Sequence, residues 1–219
     1  MRDRIIDELG DLAHPRFLVY LMGPYKAFNT EALLEQARSA ETGTDLSAIP
    51  EQMDFGTFVD SDVDLERDDA AFDLLLHVRD RLRTAPGMNA FLAVDIDIPL
   101  EEMDAATQSV EFAMASNAIV YVVPQTGDNF GVGIEVGSVL EAIFREQETA
   151  ESSARHERVV FIHEAGVRSA MIAAVRDRWD ARIYSYTDRT DLVDRVRLFV
   201  RDIARREFRS DLPTLDDNS

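Results

Sequence analysis

The residues best placed to do chemistry lie in one stretch, PQTGDNFGVGIEVG over 124–137, where Gly127, Gly131, Gly133 and Gly137 surround a single carboxylate, Glu135. Glycines thin the backbone where a loop enters a helix, and the helix N-terminus presents unpaired N–H groups with partial positive charge. A dinucleotide fingerprint would require G-x-G-x-x-G after the first strand of a βαβ unit. Here the spacing is G-x-G-x-x-x-G and it follows the third predicted strand, which argues against that use. Taken alone, Glu135 reads as a first-turn acid complementing the helix dipole. A second group is Gly23-Pro24-Tyr25. Gly23 allows close backbone approach to a ligand, Pro24 stiffens the turn and Tyr25 would project over a strand end, although a plain strand-to-helix turn has the same composition. Asp95 and Asp97 form a third group, suited to sugar hydroxyls or a cation, with Asp97 equally able to cap the following helix.

Other chemistries are excluded by residue type. The chain has no cysteine, which removes disulfides, thiol catalysis and thiolate metal sites. His14, His77, His156 and His163 include no i, i+4 pair, so no metal site is expected. Acidic residues number 42 against 23 basic ones, a formal charge of −19. A protein gripping a nucleic-acid backbone would have to hide a basic face inside that field. Lys26 is the sole lysine and aspartate outnumbers glutamate. This balance resembles the proteomes of extreme halophiles, archaeal ones included, whose dense carboxylates keep proteins hydrated where the Debye length shrinks to about 3 Å. The N-terminal residues lack the apolar stretch of a secretion signal, and no apolar run approaches the ~20 residues that span a bilayer. A cytoplasmic protein without a membrane partner is the expectation.

The elements that must position these residues follow from hydrophobic periodicity. Ile5, Ile6, Leu9 and Leu12 recur at helical spacing before His14-Pro15, which predicts a short helix within 1–15. Strands are predicted over 17–22, 90–95, 118–123, 158–163 and 182–186. Helices are predicted over 30–40, 70–83, 100–116, 132–148, 167–179 and 191–208. Residues 41–69 form an acidic insertion without sustained period, and 209–219 a polar, disordered tail. With 46% hydrophobic residues the chain can close one sizeable core, so 16–208 is taken as a single domain. Strands alternating with helices predict a three-layer α/β fold, a doubly wound five-stranded parallel sheet of the flavodoxin or Rossmann-like kind. Ligands in such sheets sit beyond the carboxyl ends of the strands, near the switch in strand order.

YLMGPY at the first strand, the apolar strand AIVYVV and GVGIEVG opening the next helix together resemble the nucleoside 2-deoxyribosyltransferase superfamily, which includes the deoxynucleoside monophosphate N-glycosidases. The resemblance spans roughly 17–144. It implies that Glu135 is a nucleophile that attacks the anomeric carbon of a nucleoside or nucleotide, and that Tyr25 orients it. Gly23, Pro24, Asp95, Asp128, Asn129, Gly131 and Gly133 are then the expected substrate-binding residues. No cofactor is implied, and a homo-oligomer is expected because relatives assemble with a neighbour completing the pocket.

Departures from the pattern are specific. Transferases of the family place an aspartate six residues before the nucleophile, where this chain has Asn129 beside Asp128; the monophosphate glycosidases lack it too. For the acid that protonates the base, Asp104 and Glu111 are the candidates, with Thr107 near the expected position. The aspartate usual before the third strand is Asn117. Two functions therefore stand open: N-glycosidic cleavage or transfer, with NAD a further N-ribosyl substrate, and a nucleotide-sensing or scaffolding module without turnover.

The charge balance makes its own prediction. Unscreened repulsion among surface carboxylates opposes the compact state, so the melting temperature should climb from low salt to molar KCl. A thermal melt that ignores KCl would remove the halophile reading.

Overall fold

The computed structural model describes residues 1–24, 63–125, 139, 155–167 and 181–215. In chain order these form α1 (Arg2–Leu9), β1 (His14–Met22), α2 (Val63–Thr84), β2 (Met88–Phe91), α3 (Ala105–Ala115), β3 (Ala118–Val123), β4 (Val159–Glu164), β5 (Arg182–Tyr186) and α4 (Arg189–Phe208). Short 3-10 turns cover Ala93–Asp95 and His156–Arg158. The strands make one sheet in the order β2-β1-β3-β4-β5, with every neighbouring pair parallel. The fold is the expected three-layer, Rossmann-like α/β arrangement.

Side-chain alternation along the strands builds two cores. Val19 and Leu21 of β1, Val120 and Val122 of β3, and Val160 and Ile162 of β4 face α2 and α4, where Leu75, Val78, Val196 and Phe199 meet them. Leu18, Tyr20 and Met22, with Ile119, Tyr121 and Phe161, face Ile5 of α1 and Phe112 of α3. Aromatic rings order this second face. Tyr20 stacks on Phe91 at 5.1 Å, Phe112 meets both edge-on, and Tyr121 stacks on Phe161 at 4.7 Å. Val139, from the predicted helix over 132–148, is helical and completes this core without exposure.

Several boundaries differ from the sequence reading. β2 ends at Phe91 rather than Asp95, because the Asp95 carboxylate accepts the Leu92 N–H at 2.9 Å and folds the chain into a 3-10 turn. The helix predicted from 100 begins at Ala105, capped by Asp104; Asp97 caps nothing and instead tethers α1, its N–H donating to Glu8 and its carbonyl accepting from Arg4. α2 begins at Val63, inside the stretch read as an acidic insertion over 41–69. The tail read as disordered from 209 is anchored over its first residues: Leu212 is buried and the Pro213 carbonyl accepts from Arg158. The predicted helices over 30–40, 132–148 and 167–179 fall outside the described residues, save Val139 and Val167.

At the amino-terminal edge of the sheet the buried side chains of Arg2, Asn117 and Arg158 form a network with the partly buried Glu207. Asn117 Oδ1 accepts from the Leu18 N–H and from Arg2, each at 3.0 Å, while its Nδ2 donates to Glu207 at 2.9 Å. Arg158, 2% exposed, pairs with Glu207 at 2.5 Å and donates to the carbonyls of Asn117 and Pro213. Arg2 reaches the carbonyls of Ala115 and Arg16. Burial pushes the Arg2 guanidinium below the usual arginine range, with Glu207 opposing that shift. An aspartate at 117 would set a second carboxylate against Glu207, which explains the amide there.

Removing one partner of a buried pair leaves an uncompensated charge. Glu207→Gln should therefore lower the unfolding free energy by about 3 kcal/mol in a denaturant titration. Asn117→Asp, which puts two carboxylates in contact, should lower it as well. Native midpoints for both variants would show that the network is dispensable.

Candidate functional site

The strand order reverses between β1 and β3: the chain leaves β1 for β2 on one side, then crosses back to β3 and continues to β4 and β5. The crevice beyond the carboxyl ends of β1 and β3 is the site such a sheet offers to a ligand. Met22 of β1 is in register with Tyr121 of β3. Gly23-Pro24 and Pro124-Gln125 then leave the sheet side by side, with Gly23, Pro24 and Pro124 buried. The YLMGPY and GVGIEVG motifs continue from these two neighbouring ends. Tyr25, Asp128, Asn129, Gly131, Gly133 and Glu135 themselves lie outside the described residues.

Four of the expected site residues are described, and the structure assigns three of them structural work. Gly23 packs against protein rather than opening the backbone to a ligand. A Cβ there would stand 2.9 Å from Leu75 Cδ1 and 3.2 Å from the Val122 carbonyl, so the missing side chain lets α2 close on the sheet. Pro24 is buried beside it. Asp95 is spent on the scaffold: one oxygen meets Arg79 at 2.5 Å, and the other takes the Leu92 N–H with Arg83 at 3.6 Å. Its side chain is 14% exposed, and both oxygens are engaged by the scaffold.

Asp104 is the N-cap of α3. One oxygen accepts from the Thr107 N–H at 3.0 Å and the other from the Thr107 hydroxyl at 2.6 Å. The Thr107 hydroxyl, then its amide, hold the carboxyl below the usual carboxylate range. A carboxyl kept ionised at neutral pH is a poor donor of a proton to a leaving base, so the acid role expected of Asp104 does not fit its surroundings. Glu111, the other candidate acid, lies on α3 and is partly buried.

The structure brings forward a polar group that sequence reasoning missed. Glu164 closes β4 and accepts the Gln125 N–H at 2.9 Å, while the Gln125 side chain donates to the Ala165 carbonyl at 2.6 Å. These bonds tie the loop after β3 to the end of β4. Glu164 is in register with Tyr186 of β5, whose hydroxyl is buried without a hydrogen-bond partner among the described residues. Burial, then the Glu164 charge, push the Tyr186 phenol well above the usual tyrosine range, so it stays protonated. The sequence signal lay in their place at strand ends, but ending the fourth strand at His163 hid Glu164.

Among the described residues no three His, Asp or Glu side chains come together as a metal set would require. No described helix is long and apolar enough to cross a membrane.

The fold defines a three-layer, Rossmann-like α/β protein whose strand order switches at β1/β3. Residues 2–216 match the family described as a domain of unknown function, DUF7509, and the chain belongs to that family. No curated protein matches the sequence.

The capping role of Asp104 is open to direct measurement. Asp104→Ala should cost about 1 kcal/mol of stability at neutral pH, and Asp104→Asn, which still accepts hydrogen bonds, distinctly less. The folded carboxyl titrates below its unfolded value of about 3.9, so its stabilisation is present above that pH and fades as pH falls through the depressed value. Urea titrations from neutral into acid should show that loss in the parent and not in Asp104→Asn.

Proposed function

We propose that this protein cleaves or transfers the N-glycosidic bond of a nucleoside or nucleotide, with Glu135 as nucleophile. The observation that carries this reading is the pairing of β1 with β3. It brings the ends from which YLMGPY and GVGIEVG continue next to each other at the switch crevice. Val139, four residues after Glu135, is helical and fully buried, which supports a helix leaving the glycine loop and packing on the sheet.

In this mechanism the Glu135 carboxylate captures the anomeric carbon as the carbon–nitrogen bond breaks through an oxocarbenium-like state. The base leaves with a proton, and the glycosyl ester is resolved by water or by the nitrogen of a second base. Tyr25 orients the carboxylate, and the glycines at 131 and 133 let sugar or phosphate approach main-chain N–H groups. The cap formed by Asp104 means that the proton for the base comes from another group or from solvent.

A second reading is a nucleotide-sensing module without turnover. Asn129 in place of the family aspartate, together with the ionised, capped Asp104, favours it. The acidic composition supports a halophilic, intracellular setting for either reading, and the assay conditions follow from it.

The test is chromatographic detection of free base after incubation in multimolar KCl with nucleosides, deoxynucleotides and NAD. Glu135→Gln keeps shape and hydrogen-bonding reach but lacks the anionic oxygen, so base release should fall by orders of magnitude while the melting temperature stays near that of the parent. Binding of an N-glycoside without base release would replace the enzyme reading with the sensing module. Neither binding nor release would leave only the fold in common with the superfamily.

A further inference from the structure

A groove of about 640 Å³ lies between the turn from α2 into β2 and one stripe of α4. Pro86 and Met88 form one wall; Leu198, Val200 and Ala204 form the other. Leu198 is 50% exposed, one of few large apolar side chains so open among the described residues. The volume lies within the range of sites that take small molecules.

The charge in this groove runs against the rest of the chain. α4 carries six arginines against four carboxylates, whereas the whole chain has 23 basic residues against 42 acidic ones. Two of those arginines line the groove. Arg197 is committed, donating to the Ala85 carbonyl at 3.0 Å and standing 3.8 Å from Asp194. Arg201 is exposed and has no hydrogen bond or ion pair among the described residues. A guanidinium beside an apolar wall, without an ion pair among the described residues where carboxylates outnumber cations nearly two to one, is complementary to an anion that brings its own apolar body. The nearby Asp194 disfavours a second negative charge on that ligand.

We propose that this groove binds a small amphipathic monocarboxylate, with its apolar body between Pro86, Met88 and Leu198 and its carboxylate on Arg201. The site shares no residue with the candidate nucleoside site, so the two stand or fall separately.

Octanoate and 1-octanol are suitable probes, titrated into the full chain while amide proton–nitrogen shifts are followed. Octanoate should shift amides over 85–88 and 194–204. Arg201→Gln should weaken it about tenfold or more, with Arg201→Lys recovering part of the loss. Arg195→Gln, on an arginine paired with Asp191 outside the groove, should bind like the parent. Octanol should bind more weakly than octanoate. Equal binding of the two probes, unchanged by Arg201→Gln, would overturn the carboxylate assignment, and shifts that are absent or scattered elsewhere would overturn the site.

Discussion

The buried network of Arg2, Asn117, Arg158 and Glu207 is the constraint on which the rest of the described structure leans. It joins the start of α1, the first hydrogen bond between β1 and β3, the entry to β4, the end of α4 and the segment that follows it. Asn117 both accepts and donates, Glu207 neutralises Arg158, and backbone carbonyls take further guanidinium protons, while Arg2 Nε is buried without a partner among the described residues. Desolvating two arginines and a carboxylate is costly, and this dense pairing offsets it. The result is directional. Because the last turn of α4 and the first residues of the chain meet on Asn117, the two helical layers are registered against the sheet at its amino-terminal edge.

The opposite edge is built differently. There the strands end in Gly23-Pro24, Pro124-Gln125, Glu164 and Tyr186, and among the described residues Gln125 is tied to Glu164 and Ala165 by single hydrogen bonds. A parallel sheet places all its carboxyl ends together, so one edge can be locked for stability while the other carries variable loops and ligands. The division matches where the polar motifs of the sequence fall. The GVGIEVG stretch and Tyr25 continue from the open edge, whereas Asn117 and Arg158 belong to the locked one.

The arginines show how an acidic chain organises its few cations. Arg79 and Arg83 hold Asp95, Arg158 holds Glu207, and Arg182 joins Asp202 while its guanidinium carbon lies 5.8 Å from the centre of the Phe199 ring. A planar guanidinium can form two bonds to a carboxylate and still lie on an apolar or aromatic surface, which a lysine ammonium cannot do. Near-exclusive use of arginine thus serves internal pairing in this fold, and it makes an arginine in a groove with no ion pair among the described residues informative.

Hydrophobic pattern by itself determined the five strands, their alternation with helices and hence the parallel three-layer fold, since a period of two or 3.6 residues is a local property that the chain carries with it. The stretch 118–123 was legible to the residue, and the carboxyl-edge location of the candidate site followed from fold class alone. Only tertiary structure decided what individual polar residues do. Asp95 and Asp104 have the composition of site carboxylates, yet Arg79, 16 residues away, and the Thr107 cap consume them. Gly23 looks like a ligand-facing glycine until Leu75 is seen against it. Arg158 and Glu207 carry no sequence sign of burial, because their pairing spans 49 residues and burial of a charge depends on a partner that the local sequence does not contain.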